Sequence, residues 1–361
     1  MTVIARPDTA NRVAFHPLTV SAIESLTDDS AAVTFEVPEE LRELFAFDAG
    51  QSLTLRRMID GVEHRRTYSI CAAAGSAPRI GVREIPDGLF SSWLVRQVRP
   101  GDVVEVQAPS GSFRADPALA GRHLCIAAGS GITPMLSIAA TVLAHPDAEV
   151  TLLYGNRKTS SVMFAEELAD LKDAHHRQLD LIHVLSREPR DVELFSGRLD
   201  GDRLRRILGE LIPVQDMDHV WLCGPFSMLT EAREILAELG VPADRIHFEL
   251  FYVDAPPPEL RHADRVAEGV TSEVTVTLDG RSTTSAMQRD MSILDSAQLV
   301  RTDLPFACKG GVCGTCRAKI CGGEVDMVRN YALEPSEVAE NFVLTCQSFP
   351  VSENVLVDFD A

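Results

Sequence analysis

Hydrophobic and polar residues alternate over the first third of the chain with the period of two that is typical of β-strands. The alternation predicts short strands at 32–37, 52–55, 66–70 and 103–107, punctuated by turn residues such as Pro100 and Gly101. One stretch, 89–98, has a helical pattern instead. We therefore expect residues 11–117 to fold as an antiparallel β-barrel.

The pattern changes near residue 120, where short apolar runs alternate with longer amphipathic stretches. Such alternation indicates a doubly wound parallel sheet over residues 118–252. The uncharged run 124–144 has the length of a membrane span, but Gly129, Gly131 and Pro134 interrupt it. The predicted strands are 123–128, 149–154, 179–185, 219–223 and 245–250, and the predicted helices are 133–144, 161–173, 201–211 and 226–239.

A Pro-rich segment, 253–269, separates this block from the rest of the chain and predicts a semi-rigid tether. The last block, 270–361, begins with a hairpin pattern around an Asp279-Gly280 turn. A helix at 292–300 and strands at 317–321 and 351–357 complete a predicted small α+β domain.

Four cysteines of this last block are separated by four, two and twenty-nine residues, which is the plant-type spacing for a [2Fe–2S] cluster. A structural zinc site is the alternative, although zinc prefers two compact cysteine pairs. We expect Gly310, Gly311 and Gly314 to supply backbone conformations that a Cβ would forbid. The predicted ligands are Cys308, Cys313, Cys316 and Cys346.

A glycine-rich turn lies between a predicted buried strand and a helix, in the segment Gly129-Ser130-Gly131-Ile132-Thr133-Pro134. Its glycines allow close approach of a pyrophosphate, and the helix start supplies N–H donors. Pro134 departs from the usual third glycine but suits a first helical turn. Because many strand-to-helix loops look similar, the turn alone is weak evidence for a dinucleotide site.

The next predicted strand is followed by Asn156 and Arg157, with no acidic residue before Glu166. An NAD-specific fold places a carboxylate near this point, whereas an arginine accommodates a 2′-phosphate. This pattern favours NADPH, although NADH remains possible and the loop has a simpler interpretation as exposed and basic.

Cys223-Gly224-Pro225 ends another predicted buried strand, at the edge where doubly wound sheets bind ligands. A small neutral residue there leaves room for a planar nicotinamide. A buried structural thiol is the alternative for Cys223.

Two segments of the first block carry groups that suit a second nucleotide. Arg66-Thr67-Tyr68-Ser69 combines a cation, an aromatic ring and hydroxyl groups on one predicted strand. Gly88 and Ser91 begin the predicted helix and offer N–H and hydroxyl groups to a pyrophosphate. Alone, the first segment is equally compatible with an ordinary barrel strand.

The chain has 361 residues and a formal net charge of −19, which argues against nucleic-acid binding and against anionic membranes. Residues 270–361 contain thirteen acidic and seven Lys or Arg residues, a net charge of −6, which suits a basic protein partner. The first twenty residues lack an apolar core, so no signal peptide is expected. We predict a cytoplasmic protein with reduced cysteines.

Taken together, these motifs resemble those of the ferredoxin reductase family. The resemblance covers the segment 66–69, Gly88 with Ser91, the 129–134 turn, the 223–225 segment and the cysteine spacing. It implies a flavin barrel, a nucleotide domain and a β-grasp ferredoxin domain, with FAD, NADPH and a [2Fe–2S] cluster as cofactors. By the same resemblance, Arg66 meets the flavin phosphate, Tyr68 and Ser69 line the flavin, Ser91 holds pyrophosphate, and Glu249 and Phe251 lie near the flavin.

Within the family, the chain is most similar to reductase components of phenylacetyl-CoA epoxidases, whose partner is a di-iron oxygenase component of a multicomponent monooxygenase. Electrons are then expected to pass from NADPH through the flavin to the cluster and the oxygenase, with no side chain acting as acid or base. A reductase for a Rieske-type steroid or aromatic-ring hydroxylase is the alternative. The non-enzymatic alternative is a regulatory protein that binds a nucleotide and contains structural zinc.

Overall fold

A computed structural model describes residues 14–86, 88–252, 269–301, 303–333 and 335–361. The chain forms two compact units, one within residues 15–255 and one within residues 256–361. The predicted tether lies outside the described residues except for Gly269.

The first unit begins with a six-stranded antiparallel sheet whose strand order is β4-β3-β6-β1-β2-β5. An antiparallel bridge between Ile70 and Ile80 joins the two edge strands and closes the sheet into the predicted barrel. The elements are β1 (Phe15–Thr27), β2 (Ser30–Glu36), β3 (Ser52–Ile59), β4 (Val62–Ser69), β5 (Arg79–Arg83), α1 (Leu89–Arg96) and β6 (Val103–Gln107).

The periodicity did not predict β1 or β5. Strand β1 contains irregularities between Val20 and Ala22 and between Ser25 and Thr27, which interrupt the alternation of inward and outward side chains. Strand β5 has only five residues and contains Gly81. A Cβ at Gly81 would lie 2.4 Å from Thr133 Cγ2, so the close approach of the neighbouring domain requires the glycine there.

A five-stranded parallel sheet follows, with strand order β11-β10-β7-β8-β9 and helices between the strands, as predicted. From β7 the chain adds β8 and β9 on one side of the sheet and then crosses to β10 on the other side of β7. Doubly wound sheets bind ligands at the carboxyl edge of such a switch point. The elements are β7 (Gly121–Ala128), α2 (Ile132–Val142), β8 (Ala148–Asn156), α3 (Ala165–Ala174), β9 (Leu179–Leu185), α4 (Gly201–Glu210), β10 (His219–Pro225), α5 (Phe226–Glu238) and β11 (Ile246–Tyr252).

The uncharged run 124–144 is divided between β7 and α2. Among the described residues, no helix has the length and apolar character that crossing a membrane requires.

Barrel and parallel sheet are joined along one seam. Ser137 Oγ on α2 donates to the Ala72 carbonyl at 2.6 Å, and Arg79 Nη1 on β5 pairs with Glu167 on α3 at 2.7 Å. At one end of the seam, the rings of Phe113 and Trp221 meet edge to face at 5.5 Å. These contacts hold the parallel sheet against the barrel.

The second unit is a mixed five-stranded sheet in the order β13-β12-β18-β14-β16, with a separate β15-β17 pair. The first and last strands of the sheet, β12 and β18, run parallel in its centre, as expected of a β-grasp domain. The elements are β12 (Thr271–Leu278), β13 (Arg281–Gln288), α6 (Ile293–Gln298), β14 (Arg317–Gly322), β15 (Val325–Met327), α7 (Pro335–Ala339), β16 (Phe342–Leu344), β17 (Ser348–Pro350) and β18 (Asn354–Asp358).

The predicted strand 351–357 is wrong in its bounds, because β17 ends at Pro350 and the strand of the five-stranded sheet begins only at Asn354. Between these strands, Ser352 Oγ donates to the Asn354 carbonyl, which stabilises a turn. The predicted helix 292–300 is shorter, since Ser292 caps it by accepting from the Asp295 N–H.

Three histidines and Trp221 stack at the amino edge of the parallel sheet, on β7, β10 and β11. His123 is fully buried and its Nδ1 accepts from Trp221 Nε1 at 3.2 Å. The His219 and His247 rings lie 5.0 Å from His123 and 4.2 Å from Trp221, respectively. Burial, reinforced by these two histidines, lowers the pKa of His123 to about 4.

The first unit should therefore lose stability in mild acid. Unfolding exposes His123 with a pKa near 6.5, so between pH 6.5 and 4 the unfolded state binds the proton first, and the free energy of unfolding falls by on the order of 3 kcal/mol. Burial also lowers the pKa of His219 and His247, while Asp218, Asp244 and Arg245 modulate them. Urea unfolding at several pH values, followed by tryptophan fluorescence, measures how the free energy of unfolding changes with pH.

A His123→Gln variant keeps a neutral acceptor for Trp221 Nε1 but cannot be protonated. We expect it to be less stable than the parent at pH 7 and to show a shallower pH dependence below 6.5. An unchanged slope would contradict the assignment to His123.

Candidate functional site

The nucleotide turn lies at the carboxyl edge of β7 and touches the end of β10. Gly129 has a φ of +56°, a conformation that other residues rarely adopt. A Cβ at Gly131 would lie only 2.2 Å from the Cys223 carbonyl oxygen, so the turn packs directly on the Cys223-Gly224 backbone. The structure thus brings together two motifs that are about ninety residues apart in sequence.

The side chains of this turn face inward. Thr133 is fully buried and its hydroxyl donates to the Ser130 carbonyl at 3.0 Å, while Pro134 lies buried in the first turn of α2. The Tyr154 hydroxyl donates to the Gly129 carbonyl at 2.9 Å. The turn therefore offers backbone N–H groups, rather than side chains, to a ligand.

Asn156 ends β8 and is buried, with its amide beside the Tyr154 hydroxyl. Neither amide atom of Asn156 has a hydrogen-bond partner within the part of the chain that the structure describes. Arg157 and Lys158 follow it and are exposed. Asn156 thus holds unused donor and acceptor capacity beside exposed cations.

A carboxylate that is remote in sequence lies against the loop that follows Asn156. Glu188, on the segment after β9, accepts from both the N–H and the hydroxyl of Thr159, at 2.8 and 2.7 Å. These bonds, with Arg190 and Lys158 nearby, lower the pKa of Glu188. Glu188 is remote in sequence, and only the parallel pairing of β8 with β9 places it here.

Arg83 lies outside every motif of the sequence, because it belongs to barrel strand β5. Its Nη2 donates to the Ser161 carbonyl at 2.7 Å, and its Nε pairs with Asp29 at 3.4 Å. A Cβ at Gly129 would lie 3.2 Å from Arg83 Nη1. The barrel therefore supplies a cation to the nucleotide turn across the seam.

A half-buried carboxyl group, that of Glu249, lies where the barrel meets the ends of β10 and β11. Ser69 Oγ donates to Glu249 Oε2 at 2.9 Å, and Glu249 pairs in register with Cys223. Burial raises the pKa of Glu249 to about 7 although Ser69 opposes the shift. Cys223 is fully buried, and burial together with Glu249 raises the pKa of its thiol well above the usual range.

Cys223 is thus a neutral, buried thiol at the strand end. Gly224 beside it is closely packed, because a Cβ there would lie 2.6 Å from Met228 Cε. Pro225 caps α5, whose first N–H groups therefore also face the carboxyl edge. Phe251, two residues beyond Glu249, is half-buried against the core of the parallel sheet.

The other predicted flavin residues lie along β4 and at the start of α1. Arg66 is exposed, the Thr67 hydroxyl lies 3.1 Å from that of Thr54, and Tyr68 packs 6.2 Å from Phe90. Burial raises the pKa of Tyr68. Arg66 and Tyr68 are thus available to a ligand on the barrel surface.

Ser91 is buried and already bonded, since its hydroxyl accepts from the Ile85 N–H at 3.0 Å. A Cβ at Gly88 would lie 2.6 Å from this hydroxyl, so glycine is needed to close the turn. Within the described residues, Ser91 therefore shapes the helix entrance, and the N–H groups there remain the donors available to a phosphate.

In the second unit, the four predicted cysteine ligands form two pairs. Side-chain hydrogen bonds join Cys308 to Cys313 and Cys316 to Cys346. Cys316 and Cys346 are buried, Cys313 is intermediate and Cys308 is exposed. The Thr345 N–H and hydroxyl both donate to the Cys316 carbonyl, which ties the remote fourth cysteine to the loop.

The electrostatics of the pairs favour thiolates. The hydrogen bond from Cys313 and the N–H groups of Gly310 and Val312 lower the pKa of Cys308 to about 5. Cys316 and the Gly311 N–H likewise lower the pKa of Cys346, and the thiolate in each pair raises the pKa of its partner cysteine. Two thiolate-bearing cysteine pairs fit a cluster of two irons with two sulfur ligands each.

No group of three or more Cys, His, Asp or Glu side chains surrounds a single metal position among the described residues. That finding agrees with two cysteine pairs.

The expectation for the loop glycines is right for Gly311 and Gly314, with φ of +79° and +68°, and wrong for Gly310, whose Cβ would meet only the Cys308 carbonyl at 3.9 Å. Lys309 adopts the strained conformation instead, with φ of +52°.

The remaining cysteines lie away from these sites. Cys71 and Cys125 are buried, and burial raises the pKa of both thiols to about 12, whereas Cys321 is exposed on β14.

Comparisons with known proteins agree with the three sets of residues. The family models that match describe an oxidoreductase FAD-binding domain at residues 17–115, an oxidoreductase NAD-binding domain at 125–234, and a 2Fe-2S iron-sulfur cluster binding domain at 276–351. The last match favours the iron-sulfur interpretation of the cysteines over zinc.

Curated relatives align over nearly the whole chain. A 1,2-phenylacetyl-CoA epoxidase subunit from Escherichia coli K12 is 43% identical over 96% of this chain and 98% of its own length. The ferredoxin reductase component of the 3-ketosteroid-9-alpha-monooxygenase of Rhodococcus rhodochrous is 32% identical over 95% of this chain and 96% of its own length.

Among solved structures, phthalate dioxygenase reductase aligns with a TM-score of 0.62 at 24% identity, covering 98% of this chain and all of that one. That likeness supports the fold alone, with its flavin barrel, parallel nucleotide domain and iron-sulfur domain. Together with the extent of the curated relatives, it shows that this chain belongs to the ferredoxin reductase family, in the branch that carries FAD-binding, NAD-binding and 2Fe-2S domains on one polypeptide.

Proposed function

We propose that this chain passes electrons from NADPH, through FAD and a [2Fe–2S] cluster, to the di-iron oxygenase component of a phenylacetyl-CoA epoxidase in phenylacetate degradation. The observation that carries the proposal is the 43% identity with the phenylacetyl-CoA epoxidase protein of Escherichia coli over almost the full length of both chains. We also propose a cytoplasmic location, and domain limits at 11–117, 118–252 and 270–361.

The proposed flavin ligands are Arg66, Thr67, Tyr68, Ser69, Gly88 and Ser91. When bound, the flavin accepts hydride from the nicotinamide and passes electrons singly to the cluster, which Cys308, Cys313, Cys316 and Cys346 hold. The proposed nicotinamide-nucleotide ligands are Gly129, Gly131, Thr133, Pro134, Asn156, Arg157, Cys223, Gly224 and Pro225, with Arg83 as a further cation.

Preference for NADPH over NADH is supported by the charges around the end of β8. Arg157 and Lys158 are exposed there, and Arg187 and Arg190 lie on the adjoining segment after β9. Glu188, the carboxylate nearest to them, is held against Thr159 through both of its oxygens. The cations remain available to a 2′-phosphate.

We propose that Glu249 and Ser69 hold a proton beside the nicotinamide and flavin rings. A carboxyl group with a pKa near 7 exchanges its proton at working pH, and Ser69 Oγ connects it to the barrel side of the crevice. Phe251, two residues further along β11, packs against the core of the parallel sheet. No side chain of the crevice needs to attack a substrate.

Exchange of reductases tests the proposed function. The purified chain, supplied with NADPH or NADH, should support epoxidation of phenylacetyl-CoA by the oxygenase component, with NADPH giving the higher kcat/KM. Epoxide formation is measured by chromatography. Failure there together with turnover of a Rieske-type steroid or aromatic-ring hydroxylase would replace the proposed partner, and the 32% identity with a ketosteroid monooxygenase reductase makes this the second candidate.

Substitution of a cluster ligand should separate the two halves of the electron path. We expect Cys313→Ser to lose the visible absorbance of the cluster and reduction of the oxygenase, while NADPH oxidation with ferricyanide remains. Cys321→Ser, which changes an exposed cysteine outside the ligand set, is the control. If Cys313→Ser also abolished flavin reduction by NADPH, it would contradict the assignment of flavin reduction to the first unit and of electron exit to the second.

Ionisation of Glu249 should govern the pH dependence of flavin reduction. An ionised carboxylate opposes the arrival of negative charge with the hydride, so the stopped-flow rate should fall roughly tenfold as pH rises through about 7. Glu249→Gln resembles the protonated form, and we expect it to give a nearly flat profile close to the parent's low-pH rate. A variant that retains the parent profile would assign the ionisation elsewhere.

A further inference from the structure

Two adjacent aliphatic side chains of the second unit are left in solvent immediately after helix α6. Leu299 is 78% exposed and Val300 is 55% exposed, and Leu299 has the highest exposed fraction among the exposed large hydrophobic side chains of the described residues. Neither belongs to the core, which takes Ile293, Leu294 and Ala297 from the same segment. An apolar pair held in water at a helix end, with no partner in the core, marks a surface for association.

This pair borders the exposed edge of the cysteine loop. Lys309, the residue after Cys308, donates from Nζ to Gln298 Oε1 at 2.7 Å and to Asp295 Oδ1 at 2.8 Å. Gln298 directly precedes Leu299, so these bonds fix the end of α6 to the loop. Cys308 is the exposed member of the four cysteines. The apolar pair therefore follows directly on the helix end that Lys309 ties to the exposed cysteine.

We propose that Leu299 and Val300 form the apolar centre of the surface on which the electron-accepting oxygenase component docks. The inference rests on the proposed function and adds to it the location and chemistry of the contact. Complexes that transfer electrons bury small areas and dissociate quickly, so two aliphatic side chains are a sufficient centre.

The net charge of the second unit defines the partner. Asp290 is exposed before α6, Asp303 after it pairs with Arg301 at 2.7 Å, and residues 270–361 as a whole carry thirteen acidic against seven basic residues, a net charge of −6. A second copy of this chain would bring the same acidic surface and be repelled. The surface instead fits a partner with basic side chains around an apolar recess.

Leu299→Gln tests the surface, because it removes the apolar contact without adding charge at an exposed position. The assay is steady-state turnover with whichever oxygenase component the parent serves in the exchange experiment, at varied oxygenase concentration. We expect the KM for the oxygenase to rise at least about fivefold. Reduction of flavin and cluster by NADPH, measured by stopped flow without oxygenase, should not change.

Leu356→Gln is the matched control. Leu356 is 47% exposed on β18, and its neighbours Val355 and Val357 point into the core that α6 covers, so Leu356 lies on the opposite face of the sheet. This variant should keep the parent's KM. Circular dichroism and the visible spectrum confirm that both variants fold and carry the cluster.

Three results would overturn the proposal: an unchanged KM in Leu299→Gln, an equal rise in Leu356→Gln, or slower reduction of the cluster by NADPH in Leu299→Gln. The third would assign the pair to electron entry instead of exit. If the parent serves neither the epoxidase nor a Rieske-type oxygenase, the proposed function fails and this surface fails with it. If the parent turns over with an oxygenase and Leu299→Gln keeps the parent's KM, only the docking surface fails.

Discussion

Hydride transfer requires two nucleotides to meet face to face, and the seam between barrel and parallel sheet makes that meeting possible. Strand β4 carries the proposed flavin residues and ends at Ser69, whose hydroxyl binds Glu249 at the end of β11. Arg83 reaches from β5 to the loop after β8. Because both bonds cross from barrel to sheet, they hold the proposed flavin residues and the nucleotide turn against each other.

The same crevice depends on backbone that approaches without side chains. Gly131 lies against the Cys223 carbonyl, Gly81 against Thr133, and Gly224 against Met228, each so close that a Cβ would overlap a neighbouring atom. Glycine costs about 0.5–1 kcal/mol of conformational entropy relative to alanine within a strand or helix. Its use at three contacts around one sheet edge indicates that close packing there outweighs this cost.

Local patterns predicted most of the fold and the motif positions, since strand period, helix period and cysteine spacing are short-range properties. They failed where tertiary contacts decide. Strand β1 is irregular because bulges interrupt its alternation of inward and outward side chains. Gly81 in β5 is required by its close contact with Thr133, which no strand pattern predicts. Glu188 and Arg83 are remote from the nucleotide motif in sequence, so no spacing rule could have placed them beside it. Ser91 shows that a motif residue can also serve the fold, because its hydroxyl accepts from the Ile85 N–H.

The cysteine loop shows how an acidic domain can still stabilise thiolates. Lys309 carries the only positive charge within the loop 308–316, and it is turned towards Asp295 and Gln298, away from the sulfurs. The thiolates depend instead on backbone N–H groups of Gly310, Gly311 and Val312. Backbone dipoles carry no net charge, so they hold anionic sulfur without neutralising the surface. The domain can therefore keep its negative charge for selecting a basic partner while its buried groups accommodate the cluster.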